Sequence, residues 1–117
     1  MDSRLASLPT HAAAVVWLDR SHALVARTHD GHLVITEVDR DQDPEIQYLH
    51  RVAHEAAGCD RVVIMGADAS RIAFEREYVA LYRRPDRLID LGASAAPARS
   101  ELVDQLRVLE PSIAGPR

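Results

Sequence analysis

A chain of 117 residues has room for one hydrophobic core and too little for two independent ones. Its 47% hydrophobic and 27% charged residues are ordinary for a globular domain, and no apolar run approaches the ~20 residues that a membrane-spanning helix needs. A net charge of -4 argues against bulk-charge coating of nucleic acid, and the single cysteine, Cys59, excludes an internal disulfide, which fits a reducing cytoplasm.

Residues 1–12 have no period and contain Pro9, so they read as a flexible lead-in, and Met1 to Leu5 do not open the apolar run of a secretory signal. Ala14 to Leu18 is a short apolar run with β-branched and aromatic residues, the pattern of a strand buried on both faces. Ala23 to Thr28 and Leu33 to Val38 flank His29-Asp30-Gly31-His32, and Asp-Gly between two such runs predicts an antiparallel hairpin. Asp43-Pro44-Glu45 offers an N-cap, a proline at the first helical position and an acid in the first turn. The helix that follows carries Ile46, Leu49, Val52, Ala53 and Ala56 on one face and stops at Gly58.

Arg61 to Gly66 reads as a central parallel strand. A second helix spans about Ala69 to Arg84, with Ile72, Phe74, Tyr78, Val79 and Leu81 forming a wide apolar face, and Pro85 ends it. Leu88 to Gly92 is a short strand, and a last helix follows Pro97 with Leu102, Val103, Leu106 and Leu109 at helical spacing. The expected organisation is one α/β domain over residues 13–110 and a flexible tail over 111–117. Its element order, βββαβαβα, is that of the ribonuclease H-like fold: a mixed five-stranded sheet with helices packed on it. Strands one, four and five form the parallel part and the hairpin lies at one edge.

Val16-Trp17-Leu18-Asp19-Arg20-Ser21-His22-Ala23-Leu24-Val25, and Val62-Val63-Ile64-Met65-Gly66 with Ala73, Phe74 and Tyr78 behind it, resemble bacterial and archaeal relatives of the middle domain of the eukaryotic-type class-1 peptide chain release factor. The resemblance covers about residues 13–108. It implies the ribonuclease H-like fold and a role at the ribosome. Release factors of that family that catalyse release carry a Gly-Gly-Gln loop between the third strand and the first helix. Here the connection reads Asp39-Arg40-Asp41-Gln42-Asp43-Pro44, and Gln42 lacks the glycines that let such a loop approach closely. The resemblance therefore does not carry release activity to this chain, and no catalytic residue and no cofactor is expected.

Four constellations carry candidate chemistry. Asp19, Glu45 or Glu55, and Asp68 are expected at one end of the sheet, where carboxylates can hold Mg²⁺ for phosphodiester hydrolysis; the plainer reading is a turn at Asp19 and a helix cap at Asp68. His50 and His54, one helical turn apart with Cys59 shortly after, have metal-ligand spacing but lack the His-Glu-x-x-His pattern, so they read as a solvated face and no metal is expected. His22, His29 and His32 read as exposed turn residues. Gly66-Ala67-Asp68-Ala69-Ser70 leads into a helix N-terminus that can cradle an anion, although Asp68 would repel phosphate.

The fourth is Arg76, Arg83, Arg84 and Arg87. The first three share one edge of the second helix and Arg87 follows Pro85, a patch suited to an RNA backbone and diluted by Glu75 and Glu77. All 14 basic residues of the chain are arginine, the better fork for phosphate, but GC-rich codon usage is the plainer explanation and the bias is not evidence of RNA binding. The function expected is a non-catalytic, translation-associated module that binds the ribosome or RNA in the cytoplasm. The alternatives are a metal-dependent nuclease-like relic using Asp19, Glu45 and Asp68, and a small homo-oligomeric domain pairing through the strand at Leu33 to Val38.

Overall fold

A computed structural model describes residues 12–29 and 32–109. Three strands come first: β1 (Ala13–Leu18), β2 (His22–His29) and β3 (His32–Asp39). They are followed by α1 (Glu45–Glu55), β4 (Arg61–Gly66), α2 (Asp68–Tyr82), a 3-10 turn at Pro85–Arg87, β5 (Leu88–Gly92) and α3 (Arg99–Leu109). The sheet order is β3-β2-β1-β4-β5. The hairpin pairs antiparallel onto β1, and β1, β4 and β5 run parallel, so the α/β fold is the mixed, ribonuclease H-like arrangement read from the sequence. The hairpin register closes at His29↔His32, while its Asp30-Gly31 tip lies outside the described residues, as do the expected lead-in and tail apart from Ala12.

The all-apolar run of β1 is explained by its place in the middle of the sheet, where all six residues are buried. Successive side chains of a strand alternate between faces. Ala14, Val16 and Leu18 therefore meet Tyr48, Leu49, Val52, Phe74 and Tyr78 of α1 and α2 on one side. Ala13, Val15 and Trp17 meet Leu102 and Leu106 of α3 on the other.

The helix faces differ from the expected ones in detail. Ile46, Ile72 and Leu81 are exposed, at 55%, 54% and 44%, whereas Tyr48 on α1 and Ser70 and Arg71 on α2, outside the expected faces, are buried. Tyr48 wins because its hydroxyl, once inside, donates to the backbone oxygen of Asp19 at 2.9 Å. Pro44, not Asp43, takes the N-cap position of α1, since the Asp43 carboxylate turns instead to Arg51 at 2.9 Å. The last residues of α2 also fall short of Arg84: Arg83 sits in the left-handed region (φ 57, ψ 35) and its N–H bonds Val79 O at 2.8 Å.

Candidate functional site

The parallel strands finish together, which gathers Asp19, Gly66, Asp68 and Asp90 at one end of the sheet. Each carboxylate there already has a partner. Asp19 folds back on the β1–β2 turn, accepting from Ser21 N (2.8 Å), His22 N (2.9 Å) and the Ser21 hydroxyl (3.1 Å). Burial works against its charge, but these donors outweigh that effect and hold its carboxyl below the usual value.

Asp68 does not cap α2 with its side chain; Ala67 stands at the N-cap and Asp68 pairs with Arg71, three residues on. The Arg71 guanidinium also pairs with Asp90 and donates from Nε to Gly66 O at 3.2 Å. Asp68 and Asp90 stabilise its charged form, offsetting the desolvation of a side chain that is only 11% exposed. A fixed cation thus occupies Asp68, one of the carboxylates that the metal reading needs. Among the described residues no three His, Cys, Asp or Glu side chains come together to hold a metal. Glu55 is drawn to Arg27 at 3.7 Å, and Glu45 lies exposed at the start of α1.

Gly66 has a structural reason to be glycine. At φ +127 its backbone passes so close to β1 that an added Cβ would fall 2.1 Å from Leu18 O. The small residue expected as part of an anion cradle instead permits the β1–β4 crossing, and Ala67 N bonds the same Leu18 O at 3.1 Å.

The β3–α1 connection is short and tied down. Arg40 N bonds Ser21 O (2.8 Å), Asp43 N bonds Arg40 O (2.9 Å), Arg40 Nε bonds Asp43 O (2.9 Å), and Arg51 donates to Asp39 O. Asp41 takes φ 53, a left-handed value that aspartate tolerates singly, and Gln42 is exposed.

The histidines are dispersed. His50 Nε2 meets Glu77 Oε1 at 2.9 Å and joins α1 to α2, His54 is exposed and Cys59 is buried. The expected turn positions of three histidines are corrected by the hairpin, whose strands extend to His22, His29 and His32. His22 is only 31% exposed, because its ring leans on Trp17 (centroids 5.0 Å apart) and its Nδ1 lies 3.4 Å from Asp19.

The four arginines of the expected RNA patch form a looser group than the helical spacing suggests. Arg76 and Arg83 are exposed. Arg84 is held by Asp86 in a bidentate pair, Nε–Oδ1 2.9 Å and Nη2–Oδ2 2.8 Å, which also pulls the Asp86 carboxyl down to about 2. Arg87 is half-buried, and its Nε has no hydrogen-bond partner among the described residues. Sequence spacing gave Glu75 and Glu77 as the diluting acids; Glu77 turns to His50, and Asp86 is the one that neutralises an arginine.

Fold and site together define an α/β, ribonuclease H-like protein whose strand ends are closed by an internal Asp-Arg-Asp network, with exposed arginines beyond the end of α2. Solved structures carry the same fold. One is Pelota from Archaeoglobus fulgidus, with TM-score 0.62 and 11% identity over 95% of this chain and 36% of that one. The archaeal translation termination factor aRF1 gives TM-score 0.55 and 14% identity over 87% of this chain and 36% of that one. Pelota from Thermoplasma acidophilum gives 0.55 and 16% over 92% and 38%. The chain therefore spans a little over a third of the length of these proteins. No protein-family model matches the sequence, and no curated protein matches it significantly.

Proposed function

We propose that this chain is a translation-associated binding module that docks on the ribosome or its RNA and performs no chemistry of its own. The observation that carries the reading is the likeness, over nearly the whole chain, to one part of Pelota and of an archaeal termination factor. Two features agree with it. The connection between β3 and α1 holds a tight, aspartate-rich turn, and the acidic strand ends are engaged by Arg71. In this reading the contacts to RNA phosphates, which read no sequence, are drawn from the arginine group Arg76, Arg83, Arg84 and Arg87.

The test is sedimentation with ribosomes. The tagged protein should comigrate with ribosomal subunits at low salt and less so at higher salt, as counterion release requires. Absence from ribosomal fractions at both salt concentrations overturns the proposal.

Self-association is a second reading, favoured by the position of β3 at the edge of the sheet, where Thr36 and Glu37 are its only polar interior residues. Light scattering across a concentration series distinguishes it, and a monomer at every concentration sinks it.

A further inference from the structure

Charge is distributed along the strands rather than around them. At the end where β1, β4 and β5 finish stand Asp19, Asp39, Asp41, Asp43, Asp68 and Asp90; the guanidinium groups of Arg40, Arg51 and Arg71 there are engaged by carboxylates or carbonyls, and the exposed Arg20 and Arg99 are outnumbered by the acids. The opposite end gathers the ends of all three helices. Arg61 fixes the last of them by donating to Leu109 O at 2.6 Å. This brings Arg27, Arg61, Arg83, Arg84, Arg87 and Arg107 to one pole, against Glu55, Asp60 and Asp86 among the described acids.

Helix dipoles favour part of this segregation, since cations are stabilised at helix C-termini. Dipoles do not account for how little of the positive charge is used. Arg83 and Arg107 are exposed and make no ion pair with a described residue. The Nε atoms of Arg27 and Arg87 are buried without a hydrogen-bond partner among those residues, and they are the two guanidinium nitrogens in that condition.

We propose that this pole, where the parallel strands begin, is the RNA-backbone face of the protein, built from Arg83 and Arg87 beyond α2 and Arg107 at the end of α3. The inference rests on the ribosome-binding reading and changes where the contact lies: Arg76, in the middle of α2, drops out and Arg107 enters. Because α2 and α3 pack on opposite faces of the sheet, one small anion cannot serve both ends. A ribose-phosphate backbone lying across the pole can, and arginine forks suit it.

The experiment measures binding of a fluorescently labelled RNA hairpin with a single-stranded tail from about 50 to 200 mM salt. The variants are Arg83→Gly, Arg107→Gln, Arg76→Gln and, at the opposite pole, Arg20→Gln. Glycine suits the left-handed conformation of Arg83, so that variant removes charge without straining the cap. A phosphate contact contributes close to one unit of salt slope, so Arg83→Gly and Arg107→Gln should each weaken binding roughly eightfold at ~0.1 M salt and lower the slope by about one. Arg76→Gln and Arg20→Gln should change neither, and melting curves should show all four variants folded.

If Arg76→Gln weakens binding while Arg107→Gln is silent, the pole is wrong and the α2 edge of the earlier reading stands. Equal losses from Arg20→Gln and Arg107→Gln overturn the pole as well, since charge anywhere would then suffice. A wild-type protein that binds neither the hairpin nor ribosomes overturns both readings.

Discussion

On the face carrying α1 and α2, Ala14, Val16 and Leu18 of β1 are sealed by Tyr48, Leu49, Phe74 and Tyr78, whereas on the other face Ala13, Val15 and Trp17 lie under two leucines of a single helix. Around that helix Ile89 and Leu91 stay 39% and 51% exposed, and Leu24, Leu33 and Ile35 are partly buried. The same central strand thus has one deep side and one shallow side. Local stability follows buried apolar contact, so α3 is expected to open at lower free energy than the α1–α2 layer.

Phe74→Ala attacks the deep side. A fully buried phenylalanine truncated there should cost about 3–5 kcal/mol in denaturant unfolding. Leu102→Ala makes the matching cut on the shallow side and should cost about 2–3 kcal/mol, at the low end for a buried leucine, because a lone helix can settle into the gap. A loss at Leu102 equal to that at Phe74 would abolish the distinction.

Arg61→Met removes the bond that ties down the end of α3. The expected cost is ~1–2 kcal/mol, with amide exchange accelerated in α3 and unchanged in α2; uniform acceleration would mean that the two faces open together. Tyr48→Phe removes one hydrogen bond from the deep side and should cost about 1 kcal/mol.

The smallest effect is electrostatic. The carboxyl of Asp19 is held below its ordinary 3.8 in the folded protein, so its contribution is present above that pH and is lost as pH falls through the folded value. Asp19→Asn should therefore flatten the loss of stability below pH ~4, and an unchanged acid limb would show that the turn does not depend on the charge.

The sheet was readable because each of its strands carries a local signal. The run Val15-Val16-Trp17 cannot face water on either side, and Asp30-Gly31 sits between two strand-like runs, so order and pairing follow from short stretches. The helix faces were not, because the deciding contacts are long-range. Tyr48 turns inward to reach the backbone of Asp19, and Arg71 occupies a buried position that Asp90, on a different strand, makes tolerable. Neither pairing leaves a trace in spacing along one helix, so Ile46 and Ile72 looked like the better core residues.

The candidate site behaves similarly. Arg76, Arg83 and Arg84 are close in sequence, but the Asp86 fork and the membership of Arg107 in the same pole depend on the turn after α2 and on the docking of α3.

The position of β1 has a consequence for how the chain is made. It is the innermost strand, yet it leaves the ribosome before the rest of the sheet, and its parallel partner in the register Ala13↔Arg61 is synthesised 48 residues later. For that interval the hairpin can pair with β1 along one side only; of the helices that cover it α1 alone has been made by then, and Val15, Val16 and Trp17 still await α2 and α3. Such a delay between a sticky segment and its cover slows folding and invites association of nascent chains.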